Sequence, residues 1–258
     1  MLDKLPPWLL KFVPGKPLIK VCGLKDPEEA ILAGHLGADM CGFIFEKSSP
    51  RYVLPSVVRG LPTLGALRVG VFTSHDPQEI AETATEAHLD LIQLHGDQGP
   101  QVAKILGPSR VIKVFWPDKY NHESLEDYQN SSSDHSQSLE KLTSTPLELE
   151  THFKLWRDLA GLFLFDSGSS GGGHGRKVLS IPWFSPRPFM LAGGIKPDDP
   201  ILLWPQRGPN LVGFDLNSCL ESAPGRKDSI IMKRFFERLR FEGRKRRKAE
   251  RSKAEADF

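Results

Sequence analysis

The sequence predicts an α/β fold, a single-domain (β/α)8 barrel. Eight short apolar runs recur at near-regular spacing between residues 18 and 216, and helical segments separate most of them. Each run is apolar nearly throughout rather than alternating, as in parallel strands covered on both faces. An open doubly wound sheet shares this pattern and differs in strand order, which a sequence does not display.

Strands are expected at 18–22, 40–45, 68–72, 91–94, 111–115, 162–166, 189–192 and 211–216. Helices are expected at 27–36, 77–87, 100–106, 147–159 and 229–241. Asp26 before Pro27 and Asp76 before Pro77 each join a capping side chain to a proline at the first helical position. Glu29 completes a capping box with Asp26. Asp228 caps the last helix, where Ile231, Phe235 and Leu239 make one face. The helices after the second, sixth and seventh strands are weak, and 55–60 and 198–204 are short. Spacing breaks between the fifth and sixth strands, where residues 118–146 are extra; within them Asn130 to Ser138 is poor in apolar residues and reads as a solvated loop. The barrel therefore spans 18–241, between an N-terminal extension, 1–17, and a basic tail, 242–258, expected to be disordered.

Composition narrows the function classes. Three cysteines, Cys22, Cys41 and Cys219, are an odd number without paired spacing. They argue for a reducing, cytoplasmic compartment and against a disulfide framework or a zinc site. No apolar run approaches the ~20 residues that span a bilayer, and the N-terminal segment has no small-residue cleavage site of the kind a signal peptide carries. The net charge of +2 is carried by the tail: residues 242–258 hold seven Lys/Arg against four Asp/Glu, which leaves the preceding residues at −1. Residues 243–253 lack aromatic side chains to stack on bases, which argues against nucleic-acid contact.

In a barrel of this kind the strand C-termini build the site. Cys22 ends the first strand; it is either a small buried hydrophobe or, as a thiolate, a base whose pKa the helix start at Asp26 would lower. Asp166 follows an apolar strand, and a carboxyl in such surroundings holds its proton longer, which suits a general acid; a loop or capping aspartate is the plainer reading. Gly193-Gly194 ends strand seven and Asp215 to Ser218 ends strand eight, the two loops that frequently cradle phosphate with backbone N–H groups. The glycine-rich run from Gly168 to Gly175 lacks a Walker ending. Arg51, after Ser49-Pro50, can fork onto a carboxylate or simply face water.

The motifs Lys20-Val21-Cys22-Gly23, Gly42-Phe43-Ile44-Phe45 with Ser49-Pro50-Arg51-Tyr52, Val69-Gly70-Val71-Phe72, Gln93-Leu94-His95-Gly96, Phe165-Asp166-Ser167 before Gly172-Gly173-His174-Gly175, Leu191-Ala192-Gly193-Gly194, and Asp215 to Ser218 leading into Glu221 to Asp228 all fall at strand ends. In this order they resemble the phosphoribosylanthranilate isomerase family of tryptophan biosynthesis, from residue 18 to about 240. The resemblance implies a TIM barrel of the ribulose-phosphate-binding type, monomeric or homodimeric, that acts on a phosphorylated small molecule without metal or organic cofactor. It implies an Amadori rearrangement with Asp166 as general acid and Cys22 as general base. By the same match Arg51 holds the substrate carboxylate, His95 lines the pocket, Asp215 contacts substrate near its nitrogen, and Gly193, Gly194, Asn217 and Ser218 surround the phosphate. His174 and Cys219 depart from the family pattern. Two other readings stand beside this one. A sister barrel of histidine or tryptophan synthesis resembles an aspartate pair, or a lysine with a glutamate, where this chain has Cys22. A non-catalytic barrel would use its basic tail to bind nucleic acid.

Overall fold

The computed structural model describes residues 6–9, 16–117, 147–167, 185–202 and 210–256. Eight parallel strands close into one barrel in chain order: β1 (Leu18–Val21), β2 (Met40–Ile44), β3 (Leu67–Phe72), β4 (Leu91–Leu94), β5 (Val111–Phe115), β6 (Leu162–Phe165), β7 (Phe189–Leu191) and β8 (Leu211–Leu216). The seam decides against an open sheet: Lys20 of β1 is opposite Met40 of β2 on one side and Asp215 of β8 on the other. Every expected strand lies within one residue of its expected limits. The helices are α1 (Pro27–Leu36), α2 (Pro55–Arg59), α3 (Pro77–Glu86), α4 (Gln101–Leu106), α5 (Leu147–Trp156) and α6 (Ser229–Ala256).

Alternation along the strands divides the core in two. Met40, Val69, Leu91, Ile112, Val114, Leu162, Leu164 and Met190 fill the interior of the barrel. Ile19, Val21, Phe43, Phe72, Phe163, Phe165 and Phe214 pack outward, beneath helices that contribute Ile80, Phe153 and Phe235. β8 carries one extra residue against β7, since Phe189 pairs with Leu211 and Met190 with Gly213. This slip leaves Phe214 outside and turns Asp215 inward, onto Lys20.

Residues 6–9 of the N-terminal extension belong to the core. Leu9 is buried in the interior cluster with Met40 and Ile112. Trp8 donates its indole N–H to Ser109 O at 2.8 Å. Pro6 lies against Gly161, where a Cβ would come within 3.2 Å of its ring. Ser109 and Gly161 precede β5 and β6, so residues 6–9 stopper the base of the barrel. The sequence hides this, because one short segment with two prolines has no period to read. Leu9→Ala is expected to destabilise the fold by about 2–5 kcal/mol, read as a fall in the denaturation midpoint.

Two expectations change, and one element is new. Asp26 does cap α1, accepting from Glu28 N at 2.8 Å, but the capping box does not form, because Glu29 Oε1 accepts from Lys227 N at 2.8 Å instead. Residues 221–227, assigned to no element from sequence, form an antiparallel hairpin, β9 (Glu221–Ala223) and β10 (Arg226–Lys227). The tail expected to be disordered is helical, since α6 runs on from the Asp228 cap to Ala256. Arg238 pairs with Glu242 across the junction at 3.2 Å, and beyond Gly243 the sequence is almost all strong helix formers. The insertion at 118–146, the run from Gly168 to Gly175 and His174 lie outside the described residues. Among the described residues no helix is long and apolar enough to cross a membrane.

Candidate active site

The C-terminal ends of the strands surround one cavity of about 630 Å³. Cys22, Arg51, His95, Asp166, Gly193, Gly194, Asp215, Asn217 and Ser218 all line it. The barrel thus brings together every residue proposed for the site from sequence.

On the β1–β8 side Cys22 continues the ladder, its N–H donating to Leu216 O at 2.8 Å. Its side chain is 4% exposed. Burial pushes the thiol pKa up, and Lys20, hydrogen-bonded to it, pulls the other way. The helix start expected to lower this pKa is not the dominant influence, because the Asp26 carboxylate already occupies it. Lys20 is fully buried, with Nζ 2.7 Å from Asp215 Oδ2. Burial works against its charge, yet its pKa is raised, first by Asp215 and then by Cys22. Asp215 Oδ1 is buried and has no partner among the described residues.

Across the cavity, Asp166 ends β6, and its Oδ1 accepts from Ser167 N at 2.8 Å. Burial first, then the Asp215 charge, pushes its carboxyl up to about 7. His95 Nε2 is 3.6 Å from Asp166 Oδ2. Burial, with Lys20 and Lys113 nearby, lowers the imidazole to about 4, so it is neutral at neutral pH. Gln93, two residues earlier on the same face of β4, has its amide nitrogen 3.1 Å from His95 Nδ1. A donor there makes Nδ1 the acceptor and leaves the proton on Nε2, toward Asp166.

The β7 and β8 loops form the third wall. Gly193 and Gly194 have φ of +79° and +58°, and among the described residues neither N–H has a protein acceptor. A Cβ on Gly193 would lie 2.0 Å from Ser167 Oγ and 2.8 Å from Asp166 Oδ1, so only glycine lets this loop close over the acid. Gly193→Ala is therefore expected to displace Asp166 and to lower turnover at least tenfold with the barrel intact by circular dichroism. Cys219 lines the cavity and also packs against the outer core; burial raises its thiol to about 11, so it is uncharged.

The hairpin supplies the charges behind Arg51. Glu221 accepts from Arg51 Nε at 2.8 Å and Nη2 at 2.7 Å, and from Lys227 Nζ at 2.8 Å. Lys227 also donates to Asn217 O and Oδ1. The fork of Arg51 is thus engaged within the protein, and among the described residues Nη1 is the guanidinium nitrogen without a partner.

Comparison with known proteins adds the remaining observation. The profile of the N-(5'phosphoribosyl)anthranilate (PRA) isomerase family matches residues 19–137 and 136–238. The chain belongs to the phosphoribosylanthranilate isomerase family. The N-(5'-phosphoribosyl)anthranilate isomerase of Desulfovibrio desulfuricans is 38% identical over 218 residues, covering 82% of this chain and 90% of that protein. That of Maridesulfovibrio salexigens is 38% identical over 215 residues, 82% of this chain and 92% of its own. The crystal structure of the Thermus thermophilus enzyme superposes with a TM-score of 0.60 at 28% identity, over 86% of this chain and 98% of that one.

Within this isomerase-family barrel, sequence reasoning missed Lys20, Gln93, Glu221 and Lys227 as members of the site. A signal was present for two of them. Lys20 and Gln93 each interrupt an apolar strand two residues before a strand-end site residue, Cys22 and His95, and so share its face. Nothing local marks Glu221 and Lys227, because their place depends on a hairpin folding back toward the β2–α2 loop.

Proposed function

We propose that this chain catalyses the Amadori rearrangement of N-(5-phosphoribosyl)anthranilate to 1-(2-carboxyphenylamino)-1-deoxyribulose 5-phosphate, a step of tryptophan biosynthesis carried out in the cytoplasm. The observation that carries this reading is the pairing, in one cavity of a family-typical barrel, of a carboxyl held at about 7 with a buried thiol beside a lysine. Asp166 in its protonated form donates to the ribose ring oxygen, and the ring opens to the Schiff base. Cys22 as thiolate removes the proton at C2′, giving the enolamine that becomes the ketone. Proton transfers of this kind contribute about 10²–10⁴ each.

The other groups bind and orient. The free N–H groups of Gly193 and Gly194, with Asn217 and Ser218, receive the phosphate. Asp215 Oδ1, which lacks a protein donor, accepts from the substrate nitrogen. Neutral His95 keeps Nε2–H toward Asp166. Arg51 meets the anthranilate carboxylate through Nη1, braced by Glu221. Arg51→Lys is expected to raise KM about tenfold or more with a smaller effect on kcat, since lysine replaces a fixed fork with a point charge.

The deciding experiment is to add freshly prepared phosphoribosylanthranilate and follow the loss of anthranilate fluorescence. Turnover supports the assignment, and none with the folded protein removes it. A panel with the substrates of the sister barrels separates those readings.

A further inference from the structure

Lys20 is a fully buried charge beside the reacting thiol, and the proposed chemistry gives it no task. Burying an ammonium costs several kcal/mol unless it is well paired, and the other residues of β1, Leu18, Ile19 and Val21, are apolar. Lys20 stands two residues before Cys22, so both side chains leave the same face of the strand. The neighbouring strand makes room for them. A Cβ on Gly42 would lie 2.8 Å from Cys22 Sγ and 3.0 Å from Lys20 Cε, so sulfur and lysine stem share the hollow that a missing side chain leaves. Asp215 holds one N–H of the ammonium at 2.7 Å. Of the other two N–H groups, one meets the Cys22 sulfur.

We infer that Lys20 is the counter-ion of the Cys22 thiolate during proton abstraction, and that Asp215 anchors its ammonium in the position where it serves. Lys20 is a positioning residue, and the inference rests on the reading of Cys22 as the base. The other charged groups around the sulfur are Asp215, Lys227 and Arg51. Lys227 and Arg51 are spent on Glu221. Asp166 and His95 face Lys20 from across the cavity. In the empty site burial keeps Cys22 a thiol, and the Asp215 charge competes for Lys20. When the substrate nitrogen donates to Asp215 Oδ1, that competition weakens and more of the ammonium's field falls on sulfur. The thiol proton leaves to solvent. The thiolate then takes the C2′ proton and is a thiol again.

The test uses Lys20→Met, which keeps the stem and removes the charge, and Asp215→Asn, which releases the ammonium. Iodoacetamide alkylation of Cys22, followed by mass spectrometry of its peptide, is measured from pH 6 to 11 without substrate. Turnover is measured beside it. Lys20→Met is expected to move the alkylation midpoint up by one pH unit or more and to lower kcat at pH 7 at least tenfold. Asp215→Asn is expected to move the midpoint down. A purely structural lysine would not give opposite shifts in the two variants. An unchanged or lowered midpoint in folded Lys20→Met overturns the inference. If Lys20→Met does not fold, Lys20→Gln takes its place, with an upward shift in favour and no shift or a downward one against. Opposite shifts in a protein without isomerase turnover would strike the reaction assignment and leave the coupling of Lys20 to Cys22 standing.

Discussion

Asp166→Asn is expected to lower turnover by about 10²–10⁴ while the protein keeps its fold. The amide is the same size and keeps an oxygen for the Ser167 N–H, so the β6 end should hold its shape. It has no proton to give the ring oxygen. The pH dependence carries the same point. With the carboxyl at about 7 and the Cys22 thiol above its ordinary range, the form with acid protonated and base ionised is always a minority. Its population rises with pH until about 7, levels off, and falls once the thiol ionises. The acidic limb of kcat/KM therefore belongs to Asp166 and the alkaline limb to Cys22. Loss of the limb near 7 in residual Asp166→Asn activity would agree; full activity in this variant would remove the acid assignment.

Stability should move the other way. Asp166 binds its proton more tightly folded than unfolded, because its pKa rises from 3.8 to about 7. The native state then loses stability as pH rises through that interval. Asn has no such loss. Asp166→Asn is expected to show a higher Tm than the wild type at pH 8 and little difference at pH 4, a trade of function against stability.

Cys22→Ser is expected to have an effect of similar size, about 10²–10⁴ on turnover. The hydroxyl nearly matches the thiol in volume, so packing against Gly42 and Lys20 changes little. A serine hydroxyl does not ionise in this range, even beside an ammonium. Binding should persist, because the phosphate and carboxylate contacts come from other residues. Calorimetry with the ketose product should find its affinity within a few-fold of wild type, and turnover the large loss. Equal loss of affinity and turnover would mean that Cys22 packs rather than reacts.

What the sequence displayed, and what it did not, follows from the range of the interactions. The strands were legible because a parallel barrel buries both faces, so 111–115 and 162–166 stand out as continuous apolar runs. The caps at Asp76 and Asp228 were legible because capping is decided within four residues. Glu29 misled for the complementary reason: its local partner lost to Lys227, 198 positions away. The direction of the Cys22 pKa was equally closed to local reading, since it depends on burial beneath β2 and β8. The upward shift of the Asp166 carboxyl was legible because its apolar strand travels with it. The helical end of α6 shows a composition rule, charge implying disorder, yielding to intrinsic helix propensity.

The seam of the barrel has a consequence for how the protein is made. Lys20 and Cys22 stand on the first strand, while Asp215, Glu221 and Lys227 come from the last strand and the hairpin after it. Domains emerge from the ribosome beginning at the amino end, so the nascent chain carries Lys20 and its nucleophilic sulfur for almost the whole of synthesis without the carboxylate that anchors that lysine. Catalysis arrives only when the circle shuts; until then Cys22 is an ordinary solvent-facing thiol, more open to alkylation and oxidation than the buried one.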